Sequence, residues 1–184
     1  MLFLAARLRS RGIRCETFGY FAGTASFEVI AARLARRLEA LPEGYLAVGH
    51  SLGGLLLRRA ISELPSHARP AHLFLLGTPN HPSSLAQRLA HRPIYRALTG
   101  DAGQLLADGD RMNGLDALDL PTTVIAGTAG PRSMRAPFGR ELNDGVVALS
   151  ETRLAGAELH ALPLLHTFLM NSAKVADLIA SQAR

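Results

Sequence analysis

Four short apolar runs, separated by stretches with helical spacing, are the feature of this sequence that most restricts its fold. The apolar runs cover residues 45–49, 71–77, 121–127 and 157–164. The helical patterns cover residues 2–11, 27–40, 53–64 and 167–182. Strands that are apolar on both faces and alternate with helices are typical of a mainly parallel sheet with helices on both sides. The sequence therefore predicts an α/β fold of this kind.

The remaining segments are assigned from periodicity and from residues that begin or end helices. Residues 13–19, IRCETFG, alternate in polarity and predict a further strand. Thr24 or Ser26 is expected to cap the helix at 27–40. The long connection at about 80–120 contains weak helical segments and is interpreted as a functional insertion. No repeat or linker divides the 184 residues, so we predict a single domain over residues 1–184.

Composition argues against several classes of function. The net charge is +5, but the arginines are scattered along predicted helices, so we expect no nucleic-acid partner. No apolar run has the length of a transmembrane segment. The single cysteine, Cys15, excludes an internal disulfide and favours a reducing compartment, which predicts a cytoplasmic protein. Neither a metal-ligand cluster nor a phosphate-binding loop is evident, so we expect no cofactor.

The stretch VGHSLGG, residues 48–54, contains Ser51 between Gly49 and Gly53 where a predicted strand meets a predicted helix. The pattern Gly-x-Ser-x-Gly at such a junction is typical of a nucleophile elbow, a tight turn that exposes the serine hydroxyl. We expect both glycines to be required because a Cβ would clash with neighbouring backbone. The helix N-terminus behind Ser51 would favour developing negative charge. The alternative interpretation is that Ser51 is only a helix cap.

A nucleophilic serine needs a base to take its proton, and His166 is the predicted base. It is the histidine that follows the last predicted strand and precedes the last helix, which suits the chain order serine, acid, histidine. His50 lies inside the turn, and its side chain is expected to point away from Ser51. None of the other histidines follows the last predicted strand; they lie at residues 67, 72, 81, 91 and 160. As an alternative, His166 caps the final helix.

Asp144 is the predicted orienting acid because it follows the apolar run at 121–127. The Asn-Asp-Gly sequence around it is also ordinary turn chemistry, so a purely structural role is the alternative. Glu151 is the nearest rival carboxylate. Asp116 and Asp119 precede the same run and therefore fall at the opposite end of the predicted strand.

Together, VGHSLGG, LLGTPNHPS, NDGVVALSETRL and LPLLHTFLMNS resemble the α/β-hydrolase superfamily, in its lipase and esterase-like branch. The resemblance extends from about residue 2 to residue 180. It implies that Ser51 is the nucleophile, Asp144 the orienting acid and His166 the general base. It further implies that the Leu52 backbone N–H belongs to the oxyanion hole.

Two departures from the family pattern accompany this resemblance. Pro82 stands where the family often has glycine, which affects the local loop shape. The family also usually begins with a strand and a His-Gly loop that supplies a second oxyanion donor, and the resemblance implies that these precede Met1 in a longer protein. We therefore expect weak ester hydrolysis from residues 1–184 and an exposed edge strand at 13–19. An N-terminal extension is expected to raise activity by roughly a hundredfold.

The motifs favour a serine hydrolase that cleaves carboxylic esters through an acyl-enzyme. The predicted substrate is a small-molecule ester or lipid with an apolar acyl group. The alternative is a non-catalytic or weakly active α/β-hydrolase-fold module that binds an acyl ligand or a partner protein. The two classes differ in whether Ser51 reacts.

Overall fold

A parallel sheet with helices on both faces forms the centre of the computed structural model of this chain. The structure describes residues 1–23, 25–115 and 118–183, apart from the side chains of Arg96 and Leu98. The strands are β1 (Leu46–His50), β2 (His72–Leu76), β3 (Thr122–Gly127) and β4 (Glu158–Leu162), and they lie side by side in that order. Each is parallel to its neighbour. Each also coincides with one of the four apolar runs, so the predicted fold class is confirmed.

The helices that surround the sheet are α1 (Leu2–Arg9), α2 (Phe27–Glu39), α3 (Leu52–Ser62), α4 (Ser84–Leu89), α5 (Pro93–Ala107), α6 (Gly109–Asn113), α7 (Leu149–Thr152) and α8 (Ala173–Ser181). Short 3₁₀ turns occur at Ser66–Ala68 and His166–Asn171. Helices α4, α5 and α6 make up most of the predicted insertion between β2 and β3. None of the described helices has both the length and the apolar character needed to cross a bilayer.

The helix ends agree with the predicted caps where the structure describes them. The Ser26 hydroxyl accepts a hydrogen bond from the Val29 N–H at 3.3 Å and so caps α2. Thr24, the other predicted cap, lies outside the described residues, as does Asp116. The last helix starts later than predicted, because residues 166–171 form a 3₁₀ turn and Ser172 then caps α8.

The core consists of two apolar layers, one on each face of the sheet. Leu73 and Leu75 of β2 pack on one side, with α2 and α3. Phe74 and Leu76 of the same strand pack on the other side, with α1 and α8. Because side chains of a strand alternate between faces, one continuous apolar strand supplies both layers. Burial of each such side chain stabilises the fold by about 1.5 to 3 kcal/mol.

The prediction that every strand is apolar on both faces is wrong for β4. Glu158 and Ala161 are exposed, and of the strand's residues Leu162 is the one that is fully buried. The reason is position: β4 is the last strand of the described sheet and pairs with β3 alone. A strand at the edge of a sheet has a side that its neighbours do not cover.

The predicted strand at 13–19 is also wrong, since these residues form no strand within the described range 1–23. A strand needs a neighbour with which to pair, and a cavity of about 530 Å³ lies between this segment and β1. Residues from both sides line it, including Ile13, Cys15 and Val48. The Arg9 guanidinium holds the segment by donating to the Cys15 carbonyl at 2.7 Å. The edge strand on this side of the described sheet is therefore β1.

Candidate active site

Ser51 occupies a strained turn between β1 and α3. Its backbone has φ 53° and ψ −127°, and it is the one non-glycine residue with positive φ in the described part of the chain. The Ser51 N–H donates to the Leu76 carbonyl of β2 at 2.9 Å. Strain of this kind costs about 1 to 3 kcal/mol and persists where neighbouring contacts impose it. Ser51 thus lies at the carboxyl end of β1, directly before the N-terminus of α3 at Leu52.

Of the two glycines predicted to be required around Ser51, the structure constrains one, and it constrains a third glycine that was not predicted. A Cβ on Gly49 would lie 2.5 Å from the Gly54 Cα, so the expectation for Gly49 is confirmed. A Cβ on Gly53 would meet nothing closer than the Tyr20 hydroxyl, at 3.7 Å, so the expectation for Gly53 is wrong. Gly54 is the second constrained position, because a Cβ there would overlap the buried Thr78 side chain, at 2.7 Å from its Cγ2. The helical turn of α3 directs residue 54, and not residue 53, toward the neighbouring loop.

Asp144 lies in a hydrogen-bonded turn that follows β3. One carboxylate oxygen, Oδ1, accepts from the Val146 N–H at 2.9 Å and from the Val147 N–H at 2.7 Å. The neighbouring Asn143 side chain accepts from the Gly145 N–H at 2.9 Å and so closes the same turn. Asp144 is 2% exposed. The turn therefore holds a buried carboxylate in one orientation with its second oxygen, Oδ2, directed away from the turn.

His166 follows β4 and meets that second oxygen. The distance between His166 Nδ1 and Asp144 Oδ2 is 2.7 Å, and the His166 N–H donates to the Asp144 carbonyl at 2.9 Å. His166 is 7% exposed. A carboxylate only accepts hydrogen bonds, so Nδ1 carries the proton of the neutral ring and Nε2 is left as the basic nitrogen. This is the arrangement a general base requires.

Gly77, which follows β2, packs directly against this pair. A Cβ at Gly77 would lie 3.0 Å from His166 Nδ1 and 3.1 Å from Asp144 Oδ2, and its φ of 54° also favours glycine. The preceding residue, Leu76, accepts the hydrogen bond from Ser51. The end of β2 is therefore in contact with the Ser51 turn on one side and with the Asp144–His166 pair on the other. Gly77 was not among the predicted site residues, although the Gly-Thr-Pro stretch at residues 77–79 was a signal for it.

The structure brings Asp144 and His166 into contact but does not show a hydrogen bond between Ser51 and His166. Among the described residues, none forms a hydrogen bond with the Ser51 hydroxyl. Catalytic hydrogen bonds are often long in the absence of substrate and shorten in the complex. The contact between Ser51 and His166 therefore stays a prediction.

His50 also belongs to this site, although it was not among the predicted site residues. Its Nε2 lies 3.0 Å from the His166 carbonyl oxygen, and the centroids of the two rings are 4.5 Å apart. Burial, followed by the neighbouring His166, lowers the pKa of His50 from 6.5 to about 4. The ring is therefore neutral at neutral pH. Its position next to Ser51 was the one available signal for a role.

No protein-family model and no curated protein matches this sequence. Solved structures do match. The mature lipase BlEst2 of Bacillus licheniformis is 20% identical, with 85% of this chain and 74% of the lipase covered and a TM-score of 0.66. Phospholipase PlaB of Legionella pneumophila is 18% identical, with 83% of this chain and 40% of the phospholipase covered and a TM-score of 0.60. An extracellular α/β-hydrolase from a Paenibacillus species is 15% identical, with 99% of this chain and 92% of that hydrolase covered and a TM-score of 0.62.

The chain has the α/β-hydrolase fold. The resemblance inferred from the motifs is thereby confirmed at the level of the fold. In this α/β-hydrolase fold, Ser51 follows β1, Asp144 follows β3 and His166 follows β4. Gly77 follows β2, which lies between β1 and β3. All of them lie where the carboxyl ends of the parallel strands meet. Ligands of α/β sheets bind at this carboxyl-terminal edge of the sheet.

Glu151, the rival carboxylate, has a different environment in the α/β-hydrolase fold of this chain. Its Oε1 accepts from the Ser84 N–H at 2.8 Å, and its Oε2 accepts from the Ala148 N–H at 3.2 Å. It therefore joins the start of α4 to the start of α7. Asp119 precedes β3 and so lies at the opposite end of that strand. Asp144 is the carboxylate that contacts His166.

We predict that Gly54→Ala destabilises the protein and that Gly53→Ala does not. Alanine at residue 54 overlaps the stiff, buried Thr78, and overpacking of this kind costs about 1 to 3 kcal/mol. Alanine at residue 53 makes only an ordinary contact with the Tyr20 hydroxyl, at 3.7 Å, and has a better helix propensity than glycine. Urea unfolding of the two variants measures the difference. Equal loss of stability in both would contradict the packing described for α3.

We also predict that His50 makes stability depend on pH between about 6.5 and 4. Its folded pKa of about 4 lies below the ordinary value of 6.5, so the unfolded chain binds a proton first as pH falls. The contribution is present above pH 6.5 and is lost progressively down to pH 4. The free energy of unfolding of the wild type should fall by about 1 to 2 kcal/mol more than that of His50→Gln between pH 7 and pH 5. Parallel losses in both proteins would exclude this effect.

Proposed function

We propose that this chain is a serine hydrolase of the lipase or esterase type that cleaves carboxylic esters through an acyl-enzyme. The observation that carries the proposal is the buried 2.7 Å contact between His166 Nδ1 and Asp144 Oδ2 at the sheet edge that also carries Ser51. Ser51, Asp144 and His166 are the proposed catalytic triad, and the Ser51 turn is the proposed nucleophile elbow. The names of structural neighbours, which include a lipase, a phospholipase and a carboxyl esterase, support the same reaction class.

In the proposed reaction, Ser51 Oγ attacks the ester carbonyl carbon while His166 Nε2 takes the hydroxyl proton. The resulting tetrahedral intermediate expels the alcohol, which receives that proton from His166. Water then attacks the acyl-Ser51 ester while His166 Nε2 takes its proton, and that proton passes to Ser51 Oγ as the bond to the acyl group breaks and the carboxylic acid leaves. Asp144 keeps the proton of the imidazole on Nδ1 and stabilises the imidazolium that forms in each half of the reaction.

The Leu52 N–H is the proposed oxyanion donor. It belongs to the first residue of α3, and none of the described residues accepts a hydrogen bond from it. The N-terminus of a helix carries partial positive charge, which favours an oxyanion at this position. One such donor is worth about 2.7 to 4 kcal/mol of transition-state stabilisation.

Apolar side chains next to the proposed catalytic residues support an ester with an apolar acyl group. Leu165 directly precedes His166 and is 40% exposed, and Phe168 follows two residues later and is 54% exposed. Val146, in the Asp144 turn, is also 40% exposed. Exposed apolar side chains around a polar site are typical of ligand-binding surfaces. We therefore expect lipid-like or other apolar small-molecule esters to be the preferred substrates.

A fluorophosphonate probe tests the proposal directly, because it reacts with an activated serine and forms a stable adduct. We predict that the wild type is labelled at Ser51 and that Ser51→Ala is not labelled. Ser133→Ala, which removes an exposed serine in a loop, is the matched control and should be labelled like the wild type. A folded wild type without label would favour the alternative, a non-catalytic α/β-hydrolase-fold module that binds an acyl ligand or a protein.

The choice of acid is tested by Asp144→Asn and Glu151→Gln. Asp144→Asn should lower the kcat for p-nitrophenyl esters by about 10³- to 10⁴-fold with the fold intact, because an amide favours the wrong His166 tautomer. Glu151→Gln should retain kcat within a few-fold and lower stability by about 1 kcal/mol, because an amide has a single acceptor oxygen and leaves one of the two backbone N–H groups without its acceptor. Circular dichroism verifies folding. The reverse pattern of kcat values would identify Glu151 as the acid.

A further inference from the structure

Besides the bonds of its own 3₁₀ turn, three hydrogen bonds restrain His166, and they come from two different parts of the sheet. Asp144 supplies two of them, one to the ring Nδ1 and one to the backbone N–H. His50 supplies the third, in which its Nε2 is 3.0 Å from the His166 carbonyl oxygen. The contacts therefore reach His166 from two segments, the turn that follows β3 and the end of β1.

The contact between His50 Nε2 and the His166 carbonyl determines which ring nitrogen of His50 carries the proton. A backbone carbonyl only accepts hydrogen bonds, so His50 Nε2 must carry the ring proton. The two imidazole rings lie with their centroids 4.5 Å apart and their planes tilted by 51°. His50 therefore acts on His166 in two ways, as a hydrogen-bond donor to its backbone and as a surface for its ring.

The position of His50 in the chain connects this contact to Ser51. His50 is the last residue of β1, and Ser51 follows it directly in the turn. Its backbone is fixed by pairing with Leu76, whose carbonyl also accepts the Ser51 N–H. A residue so placed ties the strand that carries the proposed nucleophile to the loop that carries the proposed base. Productive transfer of a proton requires those two groups to be held to within a fraction of an ångström of the reactive geometry.

We propose that His50 is a positioning residue that holds the His166 backbone and ring so that His166 Nε2 faces Ser51. The inference rests on the function proposed above. The Nε2–H of His50 donates to the His166 carbonyl, and the ring of His50 limits rotation of the His166 imidazole. His50 takes up no proton in the reaction.

Substitutions at residue 50 separate the hydrogen bond from the packing. His50→Phe retains a ring against His166 but removes the donor. His50→Gln places an amide N–H₂ near the position of Nε2 and retains the donor. His72→Phe is the matched control, because His72 also lies in a strand, stacks on a ring at 4.6 Å and shares a hydrogen bond with Thr123 at 2.9 Å. It occupies the amino end of β2, away from the proposed triad.

Two measurements are made on each protein. The first is kcat and KM for a p-nitrophenyl ester. His50→Phe should lower kcat by about tenfold or more with KM nearly unchanged, because misplacement of the base affects the chemical step. His50→Gln should restore most of the wild-type kcat, and His72→Phe should match the wild type. The second is the low-field proton resonance of His166 Nδ1–H, which should be present in the wild type and His50→Gln and lost or broadened in His50→Phe.

The outcomes distinguish this inference from the proposed function. If the wild type hydrolyses esters and His50→Phe retains both kcat and the resonance, the positioning role is wrong and the hydrolase proposal stands. If the wild type neither turns over nor labels at Ser51, but His50→Phe alone loses the resonance, the hydrolase proposal fails and the restraint on His166 stands. If His50→Gln is as impaired as His50→Phe, or the resonance is absent from the wild type and kcat does not depend on residue 50, the inference is overturned.

Discussion

Parallel pairing of the four strands is the constraint on which the candidate site depends. Because all the strands run in one direction, the residues that follow them meet at a single edge of the sheet. Ser51 follows β1, Asp144 follows β3 and His166 follows β4, although more than one hundred residues separate the first from the last. The apolar layers on both faces stabilise this pairing and keep the edge in place.

Glycines, which have no side chain, are as important at the carboxyl-terminal edge of the sheet as the polar residues. Gly77 lets the end of β2 approach the Asp144–His166 pair, and Gly49 and Gly54 let the Ser51 turn pack against itself and against Thr78. Each of these glycines lies where a methyl group would overlap a neighbour. The strained backbone of Ser51 is thus imposed by close packing on several sides, which is the usual condition under which such strain persists.

Much of the fold and part of the site could be predicted from local patterns. The four strands appear in the sequence as apolar runs, and α2 appears through its helical spacing and its Ser26 cap. Chain order after the strands predicted Asp144 as the partner of His166 but left Glu151 as a rival, and only the structure decided between the two carboxylates. The strand at 13–19 was wrong, because alternation in polarity indicates a capacity to pair but not the presence of a neighbour. The dispensable Gly53 was also mistaken for the constrained Gly54, because the direction of a helical residue depends on where the helix packs.

The sequence by itself determined the order of the elements, the fold class and the candidate residues Ser51, Asp144 and His166, because these depend on local patterns and on chain order. The tertiary structure alone decided which atoms meet. It assigned Glu151 to backbone N–H groups near α4 and α7, Asp144 to His166, and His50 to the His166 carbonyl. These assignments depend on distances between segments far apart in the chain. Such distances are set by the packing of the whole sheet, which no local pattern encodes.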